Sequence, residues 1–133
     1  MAYWLVKSEP DVWSWDDQVK VGTTPWNGVR NAQALNNMKA MKKGDKAFFY
    51  HSNKDRQIVG VVEIVKTYYP DPKDEKSGLV DVKALKAVKT PVTLAQVKAD
   101  KRLAHLALVR QSRLSVMPIY DASWKLLSQM AGL

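Results

Sequence analysis

The chain has 133 residues, 46% hydrophobic and 26% charged, with 21 Lys and Arg against 13 Asp and Glu and a formal net charge of +8. That length suits one domain over residues 1–133 with a core of its own. The absence of cysteine excludes disulfides, thiol nucleophiles and cysteine–zinc sites, and no apolar run is long enough to cross a bilayer.

Tyr3 to Lys7 predicts a strand stopped by Ser8-Glu9-Pro10. No signal-peptide pattern precedes it, so a cytoplasmic protein free in solution is expected. Asp11 is expected to cap a short helix through Val19 that carries Trp13 and Asp16-Asp17. Gly22 to Pro25 reads as a loop delivering Trp26. Val29, Ala32, Met38 and Met41 fit one face of a helix over 29–41, with Arg30 and Asn31 near its N-terminal end, where free amides favour anions. Gly44-Asp45 is a turn and Lys46 to His51 a strand. Ile58 to Tyr69 predicts the longest strand, apolar on both faces, broken by Pro70 and Pro72. The charged stretch to Gly78 then reads as an exposed loop, and Leu79 to Lys89 as a strand that Pro91 ends.

Thr93 and Gln96 form a capping box for a helix to about Ala99. Lys101 to Arg110 reads equally as helical or irregular. Leu114 to Ile119 predicts a closing strand, and Asp121 caps a last helix carrying Trp124, Leu127 and Met130 and ended by Gly132. Strands interrupted by short helices indicate a compact α+β domain, built on a curved sheet or β-barrel.

The positive charge is one-sided. Residues 83–133 carry nine basic groups against Asp100 and Asp121, which is seven of the net eight charges. A basic face favours a polyanion, most simply nucleic acid. Trp26-Asn27-Gly28-Val29-Arg30-Asn31 adds a flat ring, two amides and a guanidinium, a set that suits a planar hydrogen-bonding ligand such as a nucleobase. Trp4, by contrast, reads as core, and alternation sends at least one ring of Phe48-Phe49-Tyr50 inward. Arg110-Gln111-Ser112-Arg113-Leu114-Ser115 offers arginine forks for phosphate oxygens. Lys98, Arg102 and His105 would share a face if their segment is helical. Lys98, Arg102, Arg110 and Arg113 are therefore the candidates for contacts to a nucleic-acid backbone.

The inventory for catalysis is thin. His51 and Ser52 are neighbours on a strand end and point to opposite faces, so they form no ready base–nucleophile pair. Glycine-rich phosphate loops, zinc-protease helices and calcium loops are all missing, and no catalytic residue, metal or cofactor is assigned.

Five ordered motifs carry a family resemblance. They are Trp4-Leu5-Val6-Lys7-Ser8-Glu9-Pro10, Trp26 to Asn31, Phe49-Tyr50-His51-Ser52, Ile58-Val59-Gly60-Val61 and Arg113-Leu114-Ser115-Val116. Together they resemble the EVE domain over about residues 2–130. The resemblance implies a PUA-like fold, a compact β-barrel with peripheral helices related to the YTH readers of methylated RNA. It implies binding of nucleic acid, DNA or RNA, that carries a modified base. The implied pocket comprises Ser8, Trp26, Asn27, Arg30, Asn31, Tyr50, His51, Ser52, Arg113, Leu114 and Ser115. The chain departs from the family at Asn27, where an acidic residue is frequent, and at Ala32 and Leu35, where an aromatic and an arginine are common. An amide both donates and accepts while a carboxylate only accepts, so the base edge that is read differs. The lack of a basic N-terminal extension points to a stand-alone prokaryotic protein.

The leading expectation is thus a non-catalytic, monomeric reader of a methylated or hydroxymethylated base. An enzyme acting on modified nucleotides through His51 is one rival. The other is a general RNA-binding or protein-interaction module without preference for modification.

Overall fold

The computed structural model describes residues 1–133. In chain order its elements are β1 (Tyr3–Ser8), α1 (Trp15–Val21), β2 (Thr23–Pro25), α2 (Ala32–Ala40), β3 (Lys46–His51), β4 (Gln57–Asp71) and β5 (Asp74–Thr93). There follow α3 (Leu94–Ala99), a 3-10 turn (Lys101–Leu103), α4 (Ala107–Arg110), β6 (Val116–Ile119) and α5 (Asp121–Met130). The fold is α+β, a six-stranded curved sheet in the order β2-β5-β4-β3-β1-β6 with short helices around it. The sheet is open, so of the two forms expected, curved sheet or β-barrel, it is the curved sheet. Its edges are β2 and β6, and α2 packs against both β5 and β6, with the Asn37 amide donating to the Val116 carbonyl at 2.8 Å.

β1 runs parallel to β3, from Tyr3 opposite Lys46 to Ser8 opposite His51, and antiparallel to β6. A parallel pair needs a long crossover, which residues 9–45 supply and which contains α1, the Trp26 segment and α2. Both faces of β3 are covered, so Ala47 to Tyr50 are buried without a break. On one face Phe48 stacks on Trp124 of α5 with ring centroids 3.9 Å apart, and Trp124 in turn stacks on Tyr3. On the other, Phe49 meets Trp15 and Trp26 edge to face at 5.3 and 5.5 Å. Beneath them, a Cβ on Gly60 would lie 2.5 Å from the Trp15 ring, so only glycine admits that indole.

Several boundaries differ from the sequence expectation. The cap of α1 is Ser14, not Asp11: Ser14 accepts from the Asp17 amide while the Asp17 carboxylate accepts from the Ser14 amide. Residues 23–25 form an edge strand on β5 rather than a loop. The helix expected over 29–41 begins at Ala32, because Asn31 caps it by accepting from the Ala34 amide at 3.0 Å. The segment expected as an exposed loop up to Gly78 is instead a tight turn at residues 72–73 followed by the start of β5, with Asp71 paired to Asp74 and Pro70 to Gly78. Pro91 does not end β5 either. Ile58 pairs with Val92 and Gly60 with Ala87, so residues 88–91 bulge out of the ladder where proline removes no bond. The Lys89 and Thr90 amides donate instead to the Ala131 carbonyl. In α5, Tyr120 holds the cap position without a side-chain bond, and Asp121 lies in the first turn.

Candidate functional site

The largest cleft opens where β1 ends and the Trp26 segment passes over β5. Trp26 is held by its amide, which donates to the Val80 carbonyl at 2.8 Å. The chain then turns at Gly28, whose φ of +78° is costly for any residue with a Cβ. Buried Ser77 on β5 donates its hydroxyl to the Val29 carbonyl at 2.6 Å. Arg30 pairs with Asp74 at 2.9 Å, and hydrogen bonds from the Lys76 amide and Arg30 keep that carboxyl below its ordinary range. The segment is thus pinned along its length to the β4–β5 hairpin.

The opposite wall is the turn after β1. The Val12 and Trp13 amides both donate to the Glu9 carbonyl, and the Ser8 hydroxyl donates to the Trp13 carbonyl. The Trp13 indole donates to Gln18 Oε1 at 3.0 Å. Gln18 is fully buried and donates onward to the Gly22 carbonyl at 2.9 Å, so a polar node in the core fixes the Trp13 ring.

Between these walls lies a space of about 480 Å³, floored by Trp26 and sided by Trp13, Pro25, Thr24, Val12 and Val29. Its polar groups are Lys7, Ser8, Glu9, Asn27 and Ser115, with the Gly28 backbone. One cation and one carboxylate nearly cancel there, so selectivity falls to shape, ring contact and hydrogen bonding. Lys7 is half-buried, which lowers its pKa, and it donates to the Ser112 carbonyl at 3.1 Å. Asn27 is exposed and its amide makes no bond within the protein.

Of the residues singled out from the sequence, Ser8, Trp26, Asn27 and Ser115 line this cleft. Trp26 is 6% exposed and belongs largely to the core, like Trp4. Tyr50, Ser52 and Lys98 line a second cleft of about 410 Å³, which shares Lys7 with the first. Asn31, Arg110, Arg113 and Leu114 border a third groove of about 280 Å³. Arg102 lies in a fourth with His105 and Tyr120, and is tied to Asp100 at 2.7 Å. The segment 101–110 breaks into a 3-10 turn and a four-residue helix, so Lys98, Arg102 and His105 form no common ridge. His51 lines none of these clefts, and its Nε2 accepts from the Trp15 amide at 3.0 Å. Burial lowers its pKa, only partly offset by Asp55 and Asp16.

Sequence reasoning missed Lys7, Glu9 and Trp13 as cleft residues. The signal was present in Ser14-x-x-Asp17, a capping box that starts α1 after Trp13 and leaves that ring in a turn.

Comparison with known proteins agrees with this architecture. The chain is 37% identical to chicken (Gallus gallus) thymocyte nuclear protein 1 across 89% of its own length, and spans 64% of that protein. An NMR structure of a Rhodopseudomonas palustris protein superposes with a TM-score of 0.94 at 56% identity, covering 99% of this chain and 94% of that one. The crystal structure of human THYN1 in complex with 5-methylcytosine-containing DNA superposes at 0.91 with 31% identity, covering 100% and 99%. A YTH domain, MmI1, shares the fold alone, at a TM-score of 0.62 and 14% identity. No helix is long and apolar enough to cross a membrane. The EVE domain profile matches residues 2–130, and the chain belongs to the EVE domain family.

Proposed function

We propose that this chain is a non-catalytic reader that takes a modified base of a DNA strand into the cleft between Trp13 and Trp26. The observation that carries the reading is the cleft itself: two indoles and a proline around a small, nearly neutral set of hydrogen-bonding groups. The complex of human THYN1 with 5-methylcytosine DNA makes 5-methylcytosine the first base to test. In this reading the half-buried Trp13 ring stacks on the base and Trp26 closes the pocket floor. Asn27 and Ser115 read the edge, and Glu9, the cleft's one carboxylate, accepts from the exocyclic amine of cytosine. The C5 methyl lies against the apolar walls. Burying one such carbon contributes about 0.8 kcal/mol, a preference of about fourfold over cytosine.

As part of the same proposal the protein acts as a monomeric single domain in the cytoplasm, and His51 is structural rather than a catalytic base, since its Nε2 is spent on the Trp15 amide. The test is equilibrium binding, at one fixed salt concentration, to matched oligonucleotides with cytosine or 5-methylcytosine at one position. The wild type should prefer the methylated strand. Trp13→Ala should weaken its binding by about fivefold or more, the smaller end of base–aromatic stacking. Equal affinity for both strands, or an unaffected Trp13→Ala variant, would contradict the reading.

A further inference from the structure

We infer that the second cleft, across Lys7 from the first, is a seat for a phosphate of the strand whose base is being read; this rests on the base-reading proposal above. The two clefts differ in charge. The first balances Lys7 against Glu9, whereas the second gathers Lys7, Arg56 and Lys98 and has no acidic residue on its walls. Asp55 lines the neighbouring groove instead. Neither Arg56 nor Lys98 is held in an ion pair, so both are available to a ligand.

The cleft is also built, not merely basic. Tyr50 is 3% exposed, yet its hydroxyl makes no hydrogen bond within the protein. It is not sealed off, since no buried side-chain polar atom is left without a partner, so its free donor direction is the cleft. Burial raises the phenol pKa, which keeps it a donor. Tyr50 stands opposite Lys7 in the β1–β3 register, and the Lys7 ammonium, anchored on the Ser112 carbonyl, has further N–H bonds to give. Arg56 is presented by a loop in which Asn53, Asp55 and Arg56 all have positive φ, at 71°, 66° and 31°. That unfavourable backbone is clamped where the Leu94 amide donates to the Arg56 carbonyl at 2.8 Å. A tetrahedral oxyanion with several acceptor oxygens satisfies this donor set; a neutral base does not. Because Lys7 forms a wall of both clefts, a strand with its base in the first brings a neighbouring phosphodiester to the second.

The test uses the full chain and an oligonucleotide with one 5-methylcytosine. The double variant Arg56→Gln, Lys98→Gln should lose about tenfold in affinity for methylated and unmethylated strands alike, keeping their ratio. Its dependence of log Kd on log salt should be shallower by about 0.7–0.9 for each phosphate that the variant no longer neutralises. Tyr50→Phe, which removes one hydroxyl and keeps the ring, should lose severalfold in the same uniform way. A neutral methylphosphonate beside the modified base should weaken the wild type several times more than the double variant, in which only Lys7 and Tyr50 still face that phosphate, and this difference couples seat and phosphate directly. Unchanged affinity and slope, or a loss confined to the methylated strand, would overturn the inference. Shifts in the Ser52 and Arg56 amides on adding inorganic phosphate, without methylphosphonate coupling, would make this a free-phosphate seat and overturn its assignment to the strand. Failure of base reading is separately visible as equal wild-type affinity for both strands, and the slope and coupling can then be scored on the unmodified strand.

Discussion

Trp26 and Trp13 show how a side chain's role depends on what packs behind it. Trp26 stands out in the sequence because polar residues crowd around it, but its ring lies against Phe49, a contact between segments far apart in the chain. Trp26→Ala should therefore cost about 3–5 kcal/mol of folding stability, read by chemical denaturation, and is a poor probe of binding. Trp13, half-buried and fixed through Gln18, is the better one. Asn31 has a local explanation visible in the sequence, since an Asn three residues before a helix-forming Ala is a cap. His51 makes a pH prediction. Its pKa lies below the ordinary 6.5 because the ring is desolvated by burial, and its Nε2 accepts from Trp15, so the unfolded chain binds the proton more readily. The stability it contributes is present above pH 6.5 and is lost as pH falls through the lower folded value. Melting temperatures between about pH 7.5 and 5 should fall more for the wild type than for His51→Gln. A parallel decline would contradict this.

The segments that form the cleft walls are held by long-range contacts, and these are the least legible in the sequence. Periodicity and capping residues locate β1, β3, the start of α3 and most of β4. They miss β2, a three-residue edge strand whose existence depends on β5 pairing with it. They also truncate β5 at Pro91, because a bulge that tolerates proline is a property of the register against β4, not of the local sequence. The ties between the hairpin and the Trp26 segment can be ranked. Ser77→Ala removes a buried hydroxyl bond to the Val29 carbonyl and should cost about 1 kcal/mol in urea denaturation. Arg30→Ala removes only an exposed ion pair and should leave the melting temperature unchanged within error. Gly60→Ala drives a methyl into the Trp15 ring and should cost about 1–3 kcal/mol, with β4 or α1 displaced. Equal effects from all three would show that the cleft walls are not anchored as described.

The distribution of charge over the folded chain explains what composition could and could not reveal. The excess of cations in residues 83–133 is evident from the sequence. Folding nevertheless builds the most cationic cleft from Lys7 and Arg56 as well as Lys98, so position in the chain does not locate the patch. The motifs that carry the family resemblance likewise group into one pocket residues that the fold divides among several clefts. A one-dimensional pattern records which residues recur together and not which side of β1 each one faces. Whether the base enters the Trp13–Trp26 cleft is read directly by NMR titration of the labelled protein with an oligonucleotide carrying one 5-methylcytosine. The largest shifts should fall on the Trp13 indole N–H, the Asn27 side-chain amide and the Gly28 backbone amide, and should be smaller with the unmethylated strand. Shifts confined to the groove of Arg110 and Arg113 or to that of Arg102, identical for both strands, would show that the chain binds nucleic acid by its basic surface alone.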